Sequence, residues 1–309
     1  MESKIYDMLI VGGGPGGYTA ALYAARAGLS VLVLEKLSAG GQMAQTFQID
    51  NYPGFSQGVD GYELAMQMEQ QAHRFGAQTE YTEVQSLDLT AQPKAAHTSD
   101  GTYFGKTVVL ATGAGPRVLG LPGEQELLGR GVAYCAACDG MFYKGKTVVV
   151  VGGGNTAAAD ALLLSRVAKK VYLVHRRDTL RATKIYHNAL ETAENLELVW
   201  NSTVTALEHE DRLTAVELTN LKTGETKRIA CDGLFVSVGR TPATELVRGQ
   251  LELNQHGYVV AGESTQTSIP GVFAVGDVRT KQVRQVVTAV SDGAVAAHMA
   301  EEFLAGGNS

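Results

Sequence analysis

The fold is decided near the start of the chain by Ile5-Tyr6-Asp7-Met8-Leu9-Ile10-Val11, which runs directly into Gly12-Gly13-Gly14-Pro15-Gly16-Gly17. The apolar run predicts a buried strand. The alanine-rich stretch Tyr18–Ala27 predicts a helix that stops at Gly28, and Val31–Leu34 predicts the next strand. A strand, a glycine-rich turn, a helix and a second strand in this order predict a β-α-β unit that binds a dinucleotide.

The glycine turn of that unit carries each part of the dinucleotide fingerprint. Gly12 permits the tight turn, Gly14 lets a pyrophosphate approach the backbone, and Gly17 lets the helix pack on the strand. The free N–H groups at the start of the helix offer hydrogen bonds and a positive dipole to the phosphates. Glu35 ends the second strand, where a carboxylate accepts hydrogen bonds from ribose hydroxyls.

The same plan occurs a second time from Thr147–Val151 onward. This predicted strand runs into Gly152-Gly153-Gly154-Asn155-Thr156-Ala157, followed by a predicted helix, Thr156–Val167, and a strand, Val171–Val174. The residues expected to hold the second ligand are Gly152, Gly154 and Ala157, the last being an allowed variant of the third glycine. The duplication predicts an α/β fold with two doubly wound, Rossmann-like dinucleotide-binding domains.

Basic residues occupy the position at which a site for NADH would have an acid that binds the ribose hydroxyls. His175-Arg176-Arg177 follows the second strand, and Arg181 comes one turn later. A guanidinium binds a 2′-phosphate bidentately, whereas an acid would repel it, so this unit is predicted to prefer NADPH to NADH. A solvated basic loop is the alternative interpretation, and the position on the fingerprint disfavours it.

Between the two fingerprints lies Cys135-Ala136-Ala137-Cys138-Asp139. A pair of cysteines at this spacing can take up or release two electrons as a disulfide and a dithiol. A zinc site would need two further ligands, and the sequence has no second C-x-x-C and no H-x-x-x-H, so we assign no metal. Asp139 can act as an acid or base for thiol chemistry. Two buried cysteines without redox chemistry remain an alternative, and this is the expected role of Cys231.

Two further strand-and-turn stretches bear on the domain limits. The apolar strand Thr107–Leu110 leads towards the breaks at Gly115-Pro116, and Phe235–Val238 leads to Arg240-Thr241-Pro242. Another short strand, Gly271–Val275, and a predicted helix over Arg284–Phe303 complete the chain. We therefore expect the second domain to be inserted into the first. Two dinucleotide sites suggest a flavin and a nicotinamide. The first domain is predicted to comprise residues 1–116 and 243–309 and to bind FAD, and the second to comprise residues 117–242, to bind NADPH and to carry the C-x-x-C.

Composition limits the remaining function classes. The chain has 309 residues, 45% of them hydrophobic, and a formal net charge of −6, which favours two globular domains and argues against a nucleic-acid partner. No signal peptide is expected in the charged segment Met1–Tyr6, and no apolar run approaches the roughly 20 residues of a membrane span. With only three cysteines, two of them in one motif, a cytoplasmic location is expected.

The order of these motifs resembles the low-molecular-weight bacterial thioredoxin reductases. The resemblance rests on the two glycine fingerprints, Cys-Ala-Ala-Cys-Asp-Gly and His-Arg-Arg-x-x-x-Arg, together with Gly40-Gly41-Gln42, Gly276-Asp277-Val278 and Arg284-Gln285. It implies NADPH-dependent reduction of a thioredoxin disulfide through FAD and the cysteine pair, in a homodimer.

The resemblance also implies roles for individual residues. The FAD site would comprise Gly12, Gly14, Gly17, Glu35, Gly41, Gln42, Asn51, Asp277, Arg284 and Gln285. The NADPH site would comprise Gly152, Gly154, Ala157, His175, Arg176, Arg177 and Arg181. Cys135 would attack the protein disulfide, Cys138 would lie nearest the flavin, and Asp139 would protonate the leaving thiolate. Val283 departs from the family, in which a tyrosine is common at that position.

Other functions of the same fold remain open at this point. An FAD-dependent small-molecule dithiol oxidase would pass electrons to oxygen and has no use for NADPH, so His175-Arg176-Arg177 argues against it. A non-catalytic flavin-binding redox sensor would not need both the dithiol and the basic loop. A reductase that takes part in a peroxidase system usually carries an additional N-terminal domain.

Overall fold

The computed structural model describes residues 4–46 and 48–306, and the chain divides into two compact units. The first unit is Met1–Gly115 together with Thr241–Ser309, and the second is Pro116–Arg240. These limits differ from the predicted ones by one residue at the first crossing and by two at the second. The outer ends of the first predicted domain, residues 1–3 and 307–309, lie outside the described residues.

Strands and α-helices alternate in the two glycine-loop regions, and a run of consecutive strands follows each of them. The strands are β1 (Ile5–Val11), β2 (Val31–Glu35), β3 (Gln78–Tyr81), β4 (Val84–Asp88), β5 (Lys94–Thr98), β6 (Gly101–Leu110), β7 (Ala114–Pro116), β8 (Val132–Ala133), β9 (Thr147–Val151), β10 (Lys170–Val174), β11 (Leu196–Val199), β12 (Ser202–His209), β13 (Leu213–Asn220), β14 (Thr226–Ala230), β15 (Gly233–Val236), β16 (Arg240–Pro242) and β17 (Val272–Ala274). The α-helices are α1 (Pro15–Arg26), α2 (Gly61–Arg74), α3 (Ala136–Asp139), α4 (Asn155–Ser165), α5 (His187–Thr192) and α6 (Val286–Gly306).

The first unit is built on a mixed sheet with the order β3-β2-β1-β6-β5-β4, and β17 pairs with β6. The pairs among β3, β2, β1, β6 and β17 are parallel, while β4, β5 and β6 pair antiparallel. Met8 and Ile10 face α1, α2 and α6 on one side, and Leu9 and Val11 face a second apolar cluster on the other. β1 is apolar at successive positions because a parallel strand in the middle of a sheet is buried on both faces.

The second unit repeats the parallel core and adds an antiparallel layer. Its sheet has the order β11-β10-β9-β15-β8, with parallel pairing throughout. Val148 and Val150 of β9 pack against α4 and α5, while Val149 and Val151 pack against the three-stranded antiparallel sheet β12-β13-β14. The second unit therefore has helices on one face of its parallel sheet and an antiparallel sheet on the other.

Several predicted elements have different ends in the structure. The first helix begins at Pro15 and not at Tyr18, because proline is tolerated in the first turn, where its missing N–H has no intrahelical partner. The final helix, predicted from Arg284, begins at Val286. The hydroxyl of Thr288 accepts the Gln285 N–H at 3.2 Å and so holds the chain just before this helix. Among the described residues, no helix combines the length and apolar content that crossing a membrane requires.

Candidate active site and cofactor-binding loops

The glycine turn between β1 and α1 is crowded on its inner side. Gly12 has φ +104°, and a Cβ there would meet the backbone oxygen of Ala111 at 2.5 Å. A Cβ on Gly17 would collide with the carbonyl oxygen of Gly12. The two predicted glycines are therefore needed for close packing of the turn, the helix and the neighbouring strand.

Glu35 lies against this turn, as its place at the end of β2 predicts. Its Oε2 accepts the Gly13 N–H at 2.6 Å, and its Oε1 accepts the Leu37 N–H at 3.1 Å. The carbonyl oxygen of Gly13 accepts the Gly40 N–H at 2.7 Å, which joins the Gly40-Gly41-Gln42 segment to the same turn. The carboxylate and the two glycine segments thus occur together in the first unit.

The space beside Gly14 fits a dinucleotide. A Cβ on Gly14 would meet no atom within 4 Å, and a Cβ on Gly41 would lie 4.0 Å from the Cα of Gly14. No side chain caps the start of α1, and its first turn holds no acid, within the part of the chain described. Two facing backbone segments without side chains, next to a helix start without a cap, suit the pyrophosphate of FAD. The Gln42 amide donates to the carbonyl oxygen of Ala114.

The remaining predicted FAD residues come from distant parts of the first unit. The Asn51 amide donates to Oε1 of Gln285 at 3.0 Å, although the two residues are 234 positions apart. Asp277 lies in a short 3-10 turn, Gly276–Val278, that follows β17. The Arg284 guanidinium does not extend from the chain as a free cation. It donates to the backbone oxygens of Asp277, Lys281 and Arg279 at 3.3–3.5 Å.

In the second unit the glycine loop is joined to the end of β10. Gly152 donates its N–H to the oxygen of Val174 at 3.1 Å, and the side chain of Ala157 packs against Gly152 with no exposure to solvent. A Cβ on Gly154 would meet no atom within 4 Å, so the start of α4 leaves space for a ligand, as the start of α1 does. The glycine loop of the second unit is therefore as open at the start of its helix as the loop of the first unit.

His175 differs from its basic neighbours in being buried. Its ring lies over Gly153, where a Cβ would collide with the imidazole, and its Nε2 has no hydrogen-bond partner among the described residues. Burial lowers the pKa of His175, and the nearby arginines lower it further. The imidazole is thus neutral at pH 7 and leaves one buried polar atom beside the loop, which fits a site that is completed by a ligand.

Arg176, Arg177 and Arg181 are exposed, and none pairs with a carboxylate of the described residues. The acid between them, Asp178, is engaged by Lys222 at 2.8 Å. The backbone N–H of Arg181 donates to the oxygen of Gly153 at 2.7 Å, which ties this arginine's segment to the glycine loop. Three unpaired guanidinium groups next to a dinucleotide loop suit a 2′-phosphate.

The two predicted redox cysteines form a disulfide, Cys135–Cys138, with Cα atoms 5.3 Å apart. Cys135 caps the start of the short helix α3, and its sulfur accepts the Cys138 N–H at 3.2 Å. A backbone donor aimed at a sulfur stabilises a negative charge on it, so this contact favours the thiolate of Cys135 after reduction. The remaining cysteine, Cys231, is buried and reduced, and burial raises the pKa of its thiol to about 12.

Asp139 follows Cys138 directly and is partly buried. Burial raises the pKa of the Asp139 carboxyl to about 6. A carboxyl with a pKa of this size holds its proton more often near neutral pH than an exposed aspartic acid does, which suits a proton donor.

Two contacts beside the glycine loops were not predicted from the sequence. The Tyr18 ring lies against Gly13, and its hydroxyl donates to the buried carboxylate of Glu69 at 2.9 Å. In the second unit, Oδ1 of Asn155 accepts the Thr183 N–H at 2.8 Å and holds the segment after the arginines. Glu69 could have been noticed in the sequence, because it is the one acid on the otherwise apolar or small-residue face that α2 buries. The partners of both could not be read from local sequence.

Comparison with known proteins agrees with these observations. Residues 6–293 match the pyridine nucleotide-disulphide oxidoreductase family. A thioredoxin reductase of Streptomyces clavuligerus is 47% identical over 306 residues, covering 98% of this chain and 95% of that protein. One from Treponema pallidum is 44% identical over 299 residues, covering 97% of each.

A solved structure gives the same result for the fold. The crystal structure of thioredoxin reductase from Streptococcus pyogenes has a TM-score of 0.90 and 43% identity, covering 98% of this chain and 99% of that one. The predicted α/β fold with two Rossmann-like domains and the predicted family are confirmed. This chain belongs to the pyridine nucleotide-disulphide oxidoreductase family and, within it, to the thioredoxin reductases.

Proposed function

We propose that this protein is an NADPH-dependent oxidoreductase that reduces the disulfide of a thioredoxin by means of FAD and the Cys135/Cys138 pair. The observation that carries the proposal is the Cys135–Cys138 disulfide, which lies in a chain with two dinucleotide loops and has the raised-pKa carboxyl of Asp139 directly behind it. A disulfide, two nucleotide loops and a proton donor are the parts that a two-electron relay to a protein disulfide requires.

The thiol chemistry follows from the positions of the two sulfurs. In the reduced pair, the Cys135 thiolate attacks the thioredoxin disulfide and forms a mixed disulfide, while one thioredoxin sulfur leaves and takes a proton from Asp139. Cys138 then loses its proton and attacks the Cys135 sulfur, which breaks the bond between Cys135 and thioredoxin. The leaving thioredoxin sulfur takes up that proton, so the thioredoxin dithiol is released and the Cys135–Cys138 disulfide is restored. Two electrons pass from this chain to thioredoxin. Met141 and Phe142, just beyond α3, are 58% and 42% exposed and offer an apolar surface to a protein substrate.

The two cofactors are assigned to the two units. FAD would be held by Gly12, Gly14, Gly17, Glu35, Gly41, Gln42, Asn51, Asp277, Arg284 and Gln285, and NADPH by Gly152, Gly154, Ala157, His175, Arg176, Arg177 and Arg181. When bound, FAD would accept a hydride from NADPH and pass two electrons on to the disulfide. In the FAD site, Glu35 provides the carboxylate for ribose hydroxyls, and Arg284 acts through the backbone carbonyls it holds.

The purified protein is expected to release FAD on denaturation and to oxidise NADPH when oxidised thioredoxin is added. NADPH oxidation is followed by the loss of its near-ultraviolet absorbance, with NADH as the comparison. The expected result is strong turnover with NADPH, weak turnover with NADH and none without thioredoxin. A protein that yields no FAD would contradict the relay at its first step.

Replacing Arg176 and Arg177 together by alanine is expected to raise the KM for NADPH by about 10- to 100-fold and to change the KM for NADH little. A charge-assisted hydrogen bond contributes about 1.5–3 kcal/mol, and only NADPH carries the 2′-phosphate that would accept it. Arg166→Ala removes another exposed arginine of the second unit, at the end of α4, and serves as the matched control. An equal loss with both cofactors would show that Arg176 and Arg177 do not bind the 2′-phosphate.

The alternative, an FAD-dependent dithiol oxidase, would use the same disulfide with oxygen as the electron acceptor. The three arginines beside the second glycine loop favour the reductase, because an oxidase needs no 2′-phosphate site. The two functions are separated by measuring oxygen uptake with a small dithiol and no NADPH. Rapid uptake together with inactivity towards thioredoxin would favour the oxidase.

Assembly and location are part of the same proposal. The family membership supports a homodimer, and the low cysteine count, three in 309 residues with two of them in one redox motif, supports a cytoplasmic protein. Light scattering on the eluting protein is expected to give twice the mass of the chain. No nucleic-acid or membrane partner is proposed.

A further inference from the structure

A buried carboxylate on α6 faces the turn that carries Asp277. Asp292 lies on α6, and its side chain is only 8% exposed. Its Oδ2 accepts the backbone N–H of Gly276 at 2.8 Å and the Nζ of Lys281 at 2.7 Å. The Arg279 guanidinium donates to both oxygens of the same carboxylate, at 3.0 Å from Nε and 2.9 Å from Nη2.

These contacts hold the chain on both sides of Asp277. Gly276 precedes Asp277, and Arg279 follows it by two residues, so one carboxylate fixes both ends of the short turn. Arg279 is held in turn by the oxygens of Ala261 and Thr280, at 2.9 and 3.0 Å. Gly276 has φ +70°, a backbone conformation that glycine adopts without the steric cost of a Cβ.

The charges in this cluster explain why the carboxylate stays ionised. Burial alone would raise the pKa of Asp292, but the hydrogen bonds from Arg279 and Lys281 outweigh it, and the pKa is lowered. Arg279 and Lys281 have side chains that are 9% and 7% exposed. Removing the acid would take away the carboxylate that both of these buried cations contact, which is costly. The ionised form of Asp292 therefore persists at neutral pH.

We propose that Asp292 is a positioning residue for FAD: its carboxylate brackets the Gly276–Val278 turn and so presents the Asp277 segment to the cofactor in a fixed conformation. The proposal rests on the FAD site described above. Asp292 itself need not touch FAD. Its effect is on affinity, because a turn that is already ordered loses less conformational entropy when the ligand binds.

Asp292→Asn is expected to raise the dissociation constant of FAD at least about tenfold. The amide keeps an oxygen for the Gly276 N–H but presents an NH₂ group to Arg279, so one of the hydrogen bonds from Arg279 is lost. Apoprotein is titrated with FAD, and the quenching of flavin fluorescence gives the constant, well below the melting temperature. The visible absorption bands of the bound flavin are expected to shift as well. Arg279→Gln, which removes the same contact from the other partner, is expected to have a similar effect.

Asp7→Asn is the matched control in the same unit. Asp7 also accepts several hydrogen bonds, from Ser30 and Lys106, but it lies at the opposite end of β1 from the glycine turn. This variant is expected to lose stability and to keep the FAD affinity of the original protein. Equal weakening by Asp7→Asn, or unchanged affinity in both Asp292→Asn and Arg279→Gln, would overturn the proposal.

Two further measurements distinguish a failure of the Asp292 proposal from a failure of the proposed function. Trp200, the only tryptophan, lies 6.4 Å from His175 between ring centroids, so its fluorescence reports NADPH binding to the second unit. This signal is expected to be unchanged in both variants. A first unit that stays unfolded in excess FAD counts against the proposal, because Asp292 would then support the whole unit. Failure of the unaltered protein to bind FAD would instead remove the proposed function.

Discussion

Replacing Cys135 by serine is expected to lower turnover with thioredoxin by at least about 1000-fold, while NADPH still bleaches the visible absorption of the flavin. The loss is large because the nucleophile that attacks the thioredoxin disulfide is gone, and a serine hydroxyl is not ionised at neutral pH. Flavin reduction by NADPH needs neither sulfur, so it is expected to continue. The measurement is steady-state NADPH oxidation with thioredoxin, compared with anaerobic reduction of the flavin by NADPH alone.

Cys138→Ser distinguishes the two sulfurs. This variant keeps the Cys135 thiolate, which can attack oxidised thioredoxin but cannot be released by its neighbour, so a covalent complex that dithiothreitol dissolves should accumulate on a non-reducing gel. Cys135→Ser should trap far less. Cys231→Ser, at a buried thiol that takes no part in the disulfide, is the matched control and should turn over normally. Trapping by Cys135→Ser and not by Cys138→Ser would exchange the two roles.

Asp139→Asn is expected to lower thioredoxin turnover by about 100-fold or more and, at the same time, to stabilise the protein at neutral pH. A positioned general acid contributes about 100- to 10,000-fold to a rate, and an amide cannot donate a proton to the leaving sulfur. In the unaltered protein, the thioredoxin-dependent step should slow as pH rises through about 6, where the carboxyl loses its proton. This dependence should be absent from the variant, as measured by stopped-flow at a series of pH values.

The stability effect has a definite sign. The pKa of Asp139 is higher in the folded protein than its ordinary value of 3.8, because burial disfavours the charged form. Its contribution to folding stability is therefore most favourable below about pH 4 and is lost as pH rises through about 6. Asp139→Asn should accordingly melt several degrees higher than the original protein at pH 7.5 and at nearly the same temperature at pH 4. Loss of activity together with loss of stability at pH 7.5 would indicate a structural role for this carboxyl.

Local sequence was sufficient for the parallel cores of both units. The runs Ile5–Val11 and Thr147–Val151 are strands with the predicted ends, because a strand buried on both faces is apolar at successive positions and a glycine turn stops it. The glycines at 12 and 17 are required because a Cβ at either position would collide with backbone atoms. Helix starts were less accurate, since Pro15 and Asn155 look like turn residues and are instead the first residues of α1 and α4.

The antiparallel parts of the fold were not predicted. The strands β4 and β5 and those of the sheet β12-β13-β14 mix polar and apolar residues, as in Lys94–Thr98 and Thr226–Ala230. Such strands gain their stability from cross-strand partners and from the core they cover, and those partners lie elsewhere in the chain. His175 likewise carries a sequence signal for phosphate binding, yet its ring is buried over Gly153.

The sequence by itself determined the two β-α-β units, the dithiol and the basic loop that favours NADPH, because each depends on residues within about 30 positions of one another. Tertiary structure decided which distant groups meet. Asn51 reaches Gln285, 234 positions away, only because β6, β17 and α6 pack in the same unit as α1. Hydrogen bonds and charge pairs of this kind depend on distance in space, and separation along the chain carries no information about them.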